Sequence, residues 1–385
     1  MALLARLLAA VLAAVAVAAC ATLPRAAFTL EAQRLAEPIG FPGVRLSTSD
    51  PVAVRRLSED FRRAQESRGR ATVMLSLSGG GANGAYGAGV LYGWSERGDR
   101  PVFDVVTGIS TGALAAPFAF LGRQYDETLR FAYTGGRSTG LLSFEGIFAL
   151  FRNSFYSAKP LERLVDGFID DGVIRAVAAE SAKGRRLLVA TANLDTQDLV
   201  LWDMGAIART GGPAAARLFR KILIASASIP GIFPPVMIDV AAGAARFSEM
   251  HVDGSTITSF FAVPEAMLLS AEPLAGTPKA KLYVLLNGKF ENEFAVTPRS
   301  TLPILERSYD TASKANTRIA VAAIAAFGRA NGLDLALSYI PPGVAAAPLN
   351  FDQKHMQALF ELGRRQTADG MAWRDPLVPA AQPGA

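Results

Sequence analysis

Residues 75–90 read LSLSGGGANGAYGAGV. The apolar run that ends here begins at Thr72, and TVMLSLS is nearly continuous in apolar character, as expected of a strand buried on both faces. The residues after the glycines predict a helix over roughly 82–97. A strand, a glycine-rich turn and a helix let bare backbone approach a ligand closely. Two ligands fit this stretch equally well when it is read alone: a nucleotide phosphate, or the oxyanion of an acyl-transfer reaction.

The next unit favours the second. VFDVVT (102–107) predicts another strand, GISTG (108–112) the turn after it, and ALAAPFAFLG the start of a helix. G-x-S-x-G between a strand and a helix makes Ser110 a candidate nucleophile. Gly108 and Gly112 permit close backbone approach, and the helix N-terminus favours negative charge at the serine. Gly79, Gly81 and Gly84 also satisfy G-x-G-x-x-G. A dinucleotide site, however, wants an acidic residue at the end of the second strand. Asp104 stands at its beginning, and no Walker lysine is present.

Further apolar strands are expected at RLLVATANL (186–194), LVLW (199–202) and KLYVLLNG (281–288), with a helical pattern at 216–228 between them. This alternation predicts a three-layer α/β/α fold with a mainly parallel central sheet. Ala85, Gly89 and Gly93 recur every four residues, which predicts close packing of that helix on the sheet. Towards the C-terminus the pattern predicts a helix at about 310–328, a strand at 333–340 and a helix opening at Asn350.

A serine nucleophile needs a base. The chain holds two histidines, His251 and His355. His355 shares a helical stripe with Phe351, Leu359 and Leu362, which makes it a packing residue, although the order Ser110, Asp253, His355 formally fits an α/β-hydrolase triad. The scarcity of histidine turns attention to Asp253 in EMHVDGST.

These blocks, GGGANG (79–84), GISTG (108–112) and DGS (253–255), resemble those of the patatin-like phospholipases, over residues 70–290. The flanks FDVVTGISTGAL and ASASIPGIFPPV resemble the family as well. The resemblance implies a patatin-like fold and a phospholipid or other lipid ester as substrate. It further implies a Ser–Asp dyad of Ser110 and Asp253, an oxyanion loop of Gly79, Gly80 and Gly81, and supporting positions Asn83, Gly84, Gly108, Gly112 and Gly254. Two positions depart from the pattern: Asn83 stands where the family usually has Arg or Lys, and Ser255 where it has Gly or Ala. A non-catalytic binding module on the same fold is the alternative these departures raise.

The 385 residues are enough for one large domain. A net charge of +5 without aromatic-interleaved basic runs excludes a nucleic-acid site. No Cys/His set has metal-ligand spacing, and no cofactor is called for. Residues 1–19 read as a signal peptide, with one charge at Arg6 and an apolar run too short to span a membrane. VAAC (17–20) resembles the lipobox of bacterial lipoproteins, and Cys20 is the sole cysteine. The expectation is an exported bacterial lipoprotein, anchored by lipid at Cys20 in the outer membrane. The expected organisation is a tether and lead-in over 20–70, a catalytic domain over 71–290 and a C-terminal extension over 291–385.

Overall fold

The computed structural model describes residues 25–142, 157–268 and 280–376. The expected signal segment, Cys20 and the closing AAQPGA lie outside them. The strands are β1 (Glu37–Pro38), β2 (Arg45–Ser47), β3 (Thr72–Leu77), β4 (Val105–Gly108), β5 (Arg186–Asn193), β6 (Asp198–Asp203), β7 (Val236–Ala242), β8 (Ala245–Asp253), β9 (Ala280–Leu285) and β10 (Leu333–Ser338). The helices are α1 (Leu30–Leu35), α2 (Pro51–Arg68), α3 (Gly84–Arg97), α4 (Thr111–Leu121), α5 (Asp126–Thr134), α6 (Lys159–Phe168), α7 (Asp171–Ala182), α8 (Met204–Thr210), α9 (Gly212–Ser226), α10 (Glu265–Leu268), α11 (Thr301–Asn331) and α12 (Gln353–Ala368).

All ten strands join one sheet in the order β1-β7-β8-β5-β4-β3-β9-β10, with β6 on the other edge of β5 and β2 beyond it. The centre from β5 to β10 is parallel, and β1, β2, β6, β7 and β8 pair antiparallel. Side chains alternate across the central strands. Leu75, Leu77 and Leu285 join the main core with α3 and α4, whereas Leu282 and Val284 join a second core with Val321 and Ile324 of α11. These two cores on opposite faces make the three layers.

β5 positions the site. β6 occupies one of its edges along Leu188–Asn193. The other edge is shared: β4 pairs with Arg186–Val189, and the end of β8 pairs with Thr191–Asn193 from the opposite direction. The C-terminal ends of β4 and β8 therefore meet head-on across Ala190.

Several sequence expectations need correction. From residue 25 onward the lead-in is woven into the sheet, because β1 pairs with β7 and β2 with β6. The β7–β8 hairpin was not expected; Gly243, at φ +60°, makes its turn. Within the hairpin, Asp239 of β7 accepts from Ser248 Oγ of β8 at 2.6 Å. The helix expected over 82–97 forms as α3, and a short 3₁₀ turn, Gly81–Asn83, leads into it. Gly89 and Gly93 pack against another helix rather than the sheet: a Cβ would stand 1.9 Å from Phe360 O and 2.4 Å from Arg364 O of α12. Gly363 of α12 returns the contact against Tyr86 O. Finally, α12 is capped by Asp352, whose carboxylate accepts the His355 N–H at 3.0 Å, and not by Asn350.

Candidate active site

Ser110 stands two residues beyond the end of β4, at φ +57°, ψ −128°, one of two non-glycine residues with positive φ among those described. Such strain in a non-glycine residue persists only where surrounding structure enforces it. The enforcement is visible. A Cβ on Gly108 would lie 2.6 Å from Gly112 O, and one on Gly112 would lie 2.4 Å from Leu77 O. Only glycines let the chain fold back this tightly. The Ile109 N–H donates to Leu77 O at 3.2 Å, and the Ser110 N–H to Ser226 Oγ at 3.0 Å.

Asp253 is the last residue of β8. Its N–H donates to Ser228 O at 2.9 Å, and its Oδ1 accepts from the Ser255 N–H at 2.8 Å. Gly254 turns the chain where a Cβ would meet Ala190 O at 2.9 Å and Ile109 Cγ2 at 3.2 Å. Burial raises the Asp253 pKa to about 6, against a partial lowering by the nearby Ser110 hydroxyl and by the Ser255 amide. Asp253 Oδ2 is buried without a hydrogen-bond partner, and so is Ser255 Oγ. Catalytic hydrogen bonds are often incomplete before substrate binds. A carboxylate with a pKa near 6 beside a strained serine is chemically suited to take a proton from it.

The glycine loop lies against the same point. An added Cβ on Gly79 would stand 3.1 Å from Ser110 Cβ and 2.2 Å from Ser255 Oγ. The three glycines differ in what their amides do. The Gly79 N–H already donates to Ser259 O at 2.9 Å, so it is not free for a ligand. The amides of Gly80 and Gly81 make no hydrogen bond among the described residues. Gly80 is held at φ +148° and Gly81 at φ +55°, each with a carbonyl where a Cβ would be: Asn287 O for Gly80 and Pro348 O for Gly81. Gly84 lets the start of α3 pass Thr111, whose Oγ1 would be 2.2 Å from a Cβ there. Asn83 is buried, donates its N–H to Gly80 O at 3.1 Å and leaves Oδ1 unpartnered.

Two supports escaped the sequence reading. Asn287, just after β9, donates its N–H to Ser78 Oγ and its Nδ2 to Ser78 O, both at 2.8 Å, and so braces the loop from the neighbouring strand. Ser226 ties Ser110 to β5, because its hydroxyl also donates to Ala190 O at 2.7 Å. Neither residue belongs to a spacing pattern, although Ser226 opens no farther than one residue into the flank ASASIPGIFPPV.

The histidines are placed elsewhere. Both ring nitrogens of His251 are engaged, Nδ1 with Thr191 Oγ1 at 2.8 Å and Nε2 with Glu249 Oε2 at 3.2 Å, and burial lowers its pKa. Arg45 pairs with Glu249 on the far side. His355 has no hydrogen bond to Ser110 or Asp253, and the groups acting on Asp253 are Ser110 and Ser255. Asp104 sits at the opposite end of β4 from Ser110, paired with Arg70 at 2.7 Å. An apolar cavity of about 60 Å³ opens beside Gly81 and Thr111, walled by Leu114, Phe118, Leu164 and Met356.

The patatin-like phospholipase family model matches residues 75–267, half of the chain. No curated protein matches by sequence. Among solved structures, VipD from Legionella pneumophila is similar at 12% identity and a TM-score of 0.41, covering 78% of this chain and 67% of that one. The type III effector protein ExoU is similar at 12% identity and a TM-score of 0.28, covering 78% of this chain and 53% of that one, about half its length. The family match runs from β3 through the glycine loop and the Ser110 turn to Asp253 and beyond, and the chain belongs to the patatin-like phospholipase family.

Proposed function

We propose that this protein is a serine lipid acyl hydrolase in which Ser110 is the nucleophile and Asp253 its base. The carrying observation is the head-on meeting of β4 and β8 along one edge of β5, which sets a strained serine against a buried carboxylate of raised pKa. In the first step Ser110 Oγ attacks the ester carbonyl carbon while its proton passes to Asp253. The carbonyl π pair moves onto oxygen, and the free Gly80 and Gly81 amides donate to that oxyanion. Collapse of the intermediate expels the alcohol, which takes the proton back from Asp253 and leaves an acyl-serine. Water then attacks the acyl carbon while its proton passes to Asp253; collapse of the second tetrahedral intermediate breaks the Ser110 Oγ–acyl bond, releases the fatty acid and returns that proton from Asp253 to Ser110 Oγ.

A carboxylate is a weaker base than an imidazole, so burial carries part of the work by raising its proton affinity. The cavity beside Gly81 is apolar, walled by Leu114, Phe118 and Leu164, and its lining matches a hydrocarbon chain in chemistry, although its volume of about 60 Å³ holds only a small part of one. The reading extends to an exported lipoprotein held at the outer membrane through Cys20, with residues 71–290 as the catalytic unit. Mass spectrometry of lipid products from the purified protein tests it. Fatty acid and lysolipid should appear with the wild type and be absent with Ser110→Ala and Asp253→Ala. Full activity in either folded variant would refute the mechanism.

A further inference from the structure

The long helix α11 stands outside the matched family region, and its direction is fixed by the strand after it. Only Gly332 separates it from β10, which runs parallel to β9 and β3. The helix must therefore run back along the sheet, with its N-terminus at the end where β3 and β4 finish and Ser110 sits. Its 31 residues span roughly 46 Å, whereas the six of β10 span roughly 20 Å. The excess length overhangs the active-site end.

The middle of that overhang touches the site. Tyr309 donates its hydroxyl to Ser255 O at 3.3 Å, and Ser313 and Thr317, on the same helical stripe, bond to Ser259 Oγ. One turn before Tyr309 the stripe leaves the protein body. Leu305 is 61% exposed and Ile304 48%. The preceding loop is pinned alongside, since Lys314 of α11 pairs with Glu293 at 3.8 Å and Arg318 donates to Asn292 Oδ1 at 2.8 Å. That loop presents Phe294 at 96% exposure and Val296 at 84%. Ile257, just past the DGS turn, is a further exposed apolar side chain at this end of the sheet.

A second element reaches the same end of the sheet. β5 is parallel to β4 and continues four residues past the level of Gly108, from Val189 to Asn193. Arg25 is bound just beyond, to Asp195 Oδ1 at 2.7 Å and Ser248 O at 2.7 Å. The described chain therefore enters the domain at the active-site end, not at the opposite one. No described helix is long and apolar enough to cross a membrane.

We infer that the exposed apolar set of Ile257, Phe294, Val296, Ile304, Leu305 and Tyr309 is the surface by which the protein docks on a phospholipid bilayer, with the Ser110 end of the sheet towards the lipid. The choice of a bilayer as occupant rests on the lipid-hydrolase reading; the placement of the surface does not. Exposed phenylalanine and leucine gain free energy by entering the acyl boundary, and the exposed Arg299 lies in the same segment, where lipid phosphates would meet it.

The test uses the full chain. In Phe294→Trp, phosphatidylcholine–phosphatidylglycerol vesicles with brominated acyl chains should quench the fluorescence increment over wild type, and vesicles should shield it from iodide in water. Quenching by iodide alone, unchanged by vesicles, would overturn the inference whatever the enzyme does. In the double variant Phe294→Ser, Leu305→Ser, hydrolysis of vesicle phospholipid should fall at least about tenfold. Hydrolysis of a water-soluble short-chain ester should stay within about twofold, because neither residue lines the dyad. Equal rates on vesicles for variant and wild type would also overturn it. A wild type inactive on both substrates would defeat the hydrolase reading alone, and the quenching result would still decide the docking surface.

Discussion

The hydroxyl of Ser226 accepts the main-chain N–H of Ser110 at 3.0 Å. It donates its own proton to Ala190 O, the carbonyl left between the ends of β4 and β8. Two residues later Ser228 O accepts the N–H of Asp253 at 2.9 Å. One short step at the end of α9 thus fixes the backbone of both members of the proposed dyad. In Ser226→Ala a buried N–H and a buried carbonyl both lose their partner, which costs about 1–3 kcal/mol for each unsatisfied group. The expected outcome is a lower denaturation midpoint together with a lower kcat in the fraction that remains folded. Chemical denaturation and ester hydrolysis measured side by side check it.

The pH profile is set by Asp253. Its carboxyl must be ionised to take the serine proton, and burial places its pKa at about 6. Activity should therefore fall with decreasing pH through about 6, with a slope of one proton, in kcat/KM on a soluble ester. A profile flat down to the ordinary carboxylate range would contradict the assignment.

The same shift has a stability consequence of opposite sense. A folded pKa above the unfolded value means that the folded state binds the proton more tightly. This contribution is fully present below about 3.8 and is lost as pH rises through about 6. At neutral pH the ionised carboxylate thus costs of order 2–3 kcal/mol. Asp253→Asn keeps an oxygen for the Ser255 N–H and removes the charge. It should abolish activity while raising Tm at about pH 7–8, and the gain should vanish near about pH 4. Thermal unfolding at the two pH values checks it.

The structure separates helix packing from chemistry. In Gly89→Ala the new methyl would collide with Phe360 O and force α12 off α3. Overpacking of this kind typically costs about 1–3 kcal/mol. The Ser110 turn and the glycine loop are left in place, so Tm should drop while kcat of folded protein changes little.

His355→Ala discriminates between the dyad and a triad. His355 has no hydrogen bond to Ser110 or Asp253, so hydrolysis should persist within about twofold. Loss of several orders of magnitude would restore the triad.

Much of the site was legible in the sequence because it is local. TVMLSLS, the three glycines and GISTG encode a strand, a turn and a helix start within neighbouring residues, and the structure builds them there. The features that stayed hidden depend on pairing between distant residues. β1 and β2 hold two and three residues, too few for any period, and exist through contacts with β7 and β6. Gly89 and Gly93 signalled close packing correctly, but their partner lies on α12, far along the chain. Asn287 and Ser226 are single polar residues whose roles arise only when β9 and α9 are laid beside the loop and the turn. The Gly79 amide, expected in the oxyanion loop, is taken by Ser259 O, which no spacing could reveal.

The central claim is that Ser110 is a nucleophile activated by Asp253. The most direct measurement is covalent labelling with a fluorophosphonate, located by peptide mass spectrometry. One modified residue is expected, Ser110, with labelling lost in Ser110→Ala, strongly slowed in folded Asp253→Asn, and matched by loss of lipid hydrolysis. Absence of labelling at Ser110 in an active preparation, or labelling undiminished in Asp253→Asn, would contradict it.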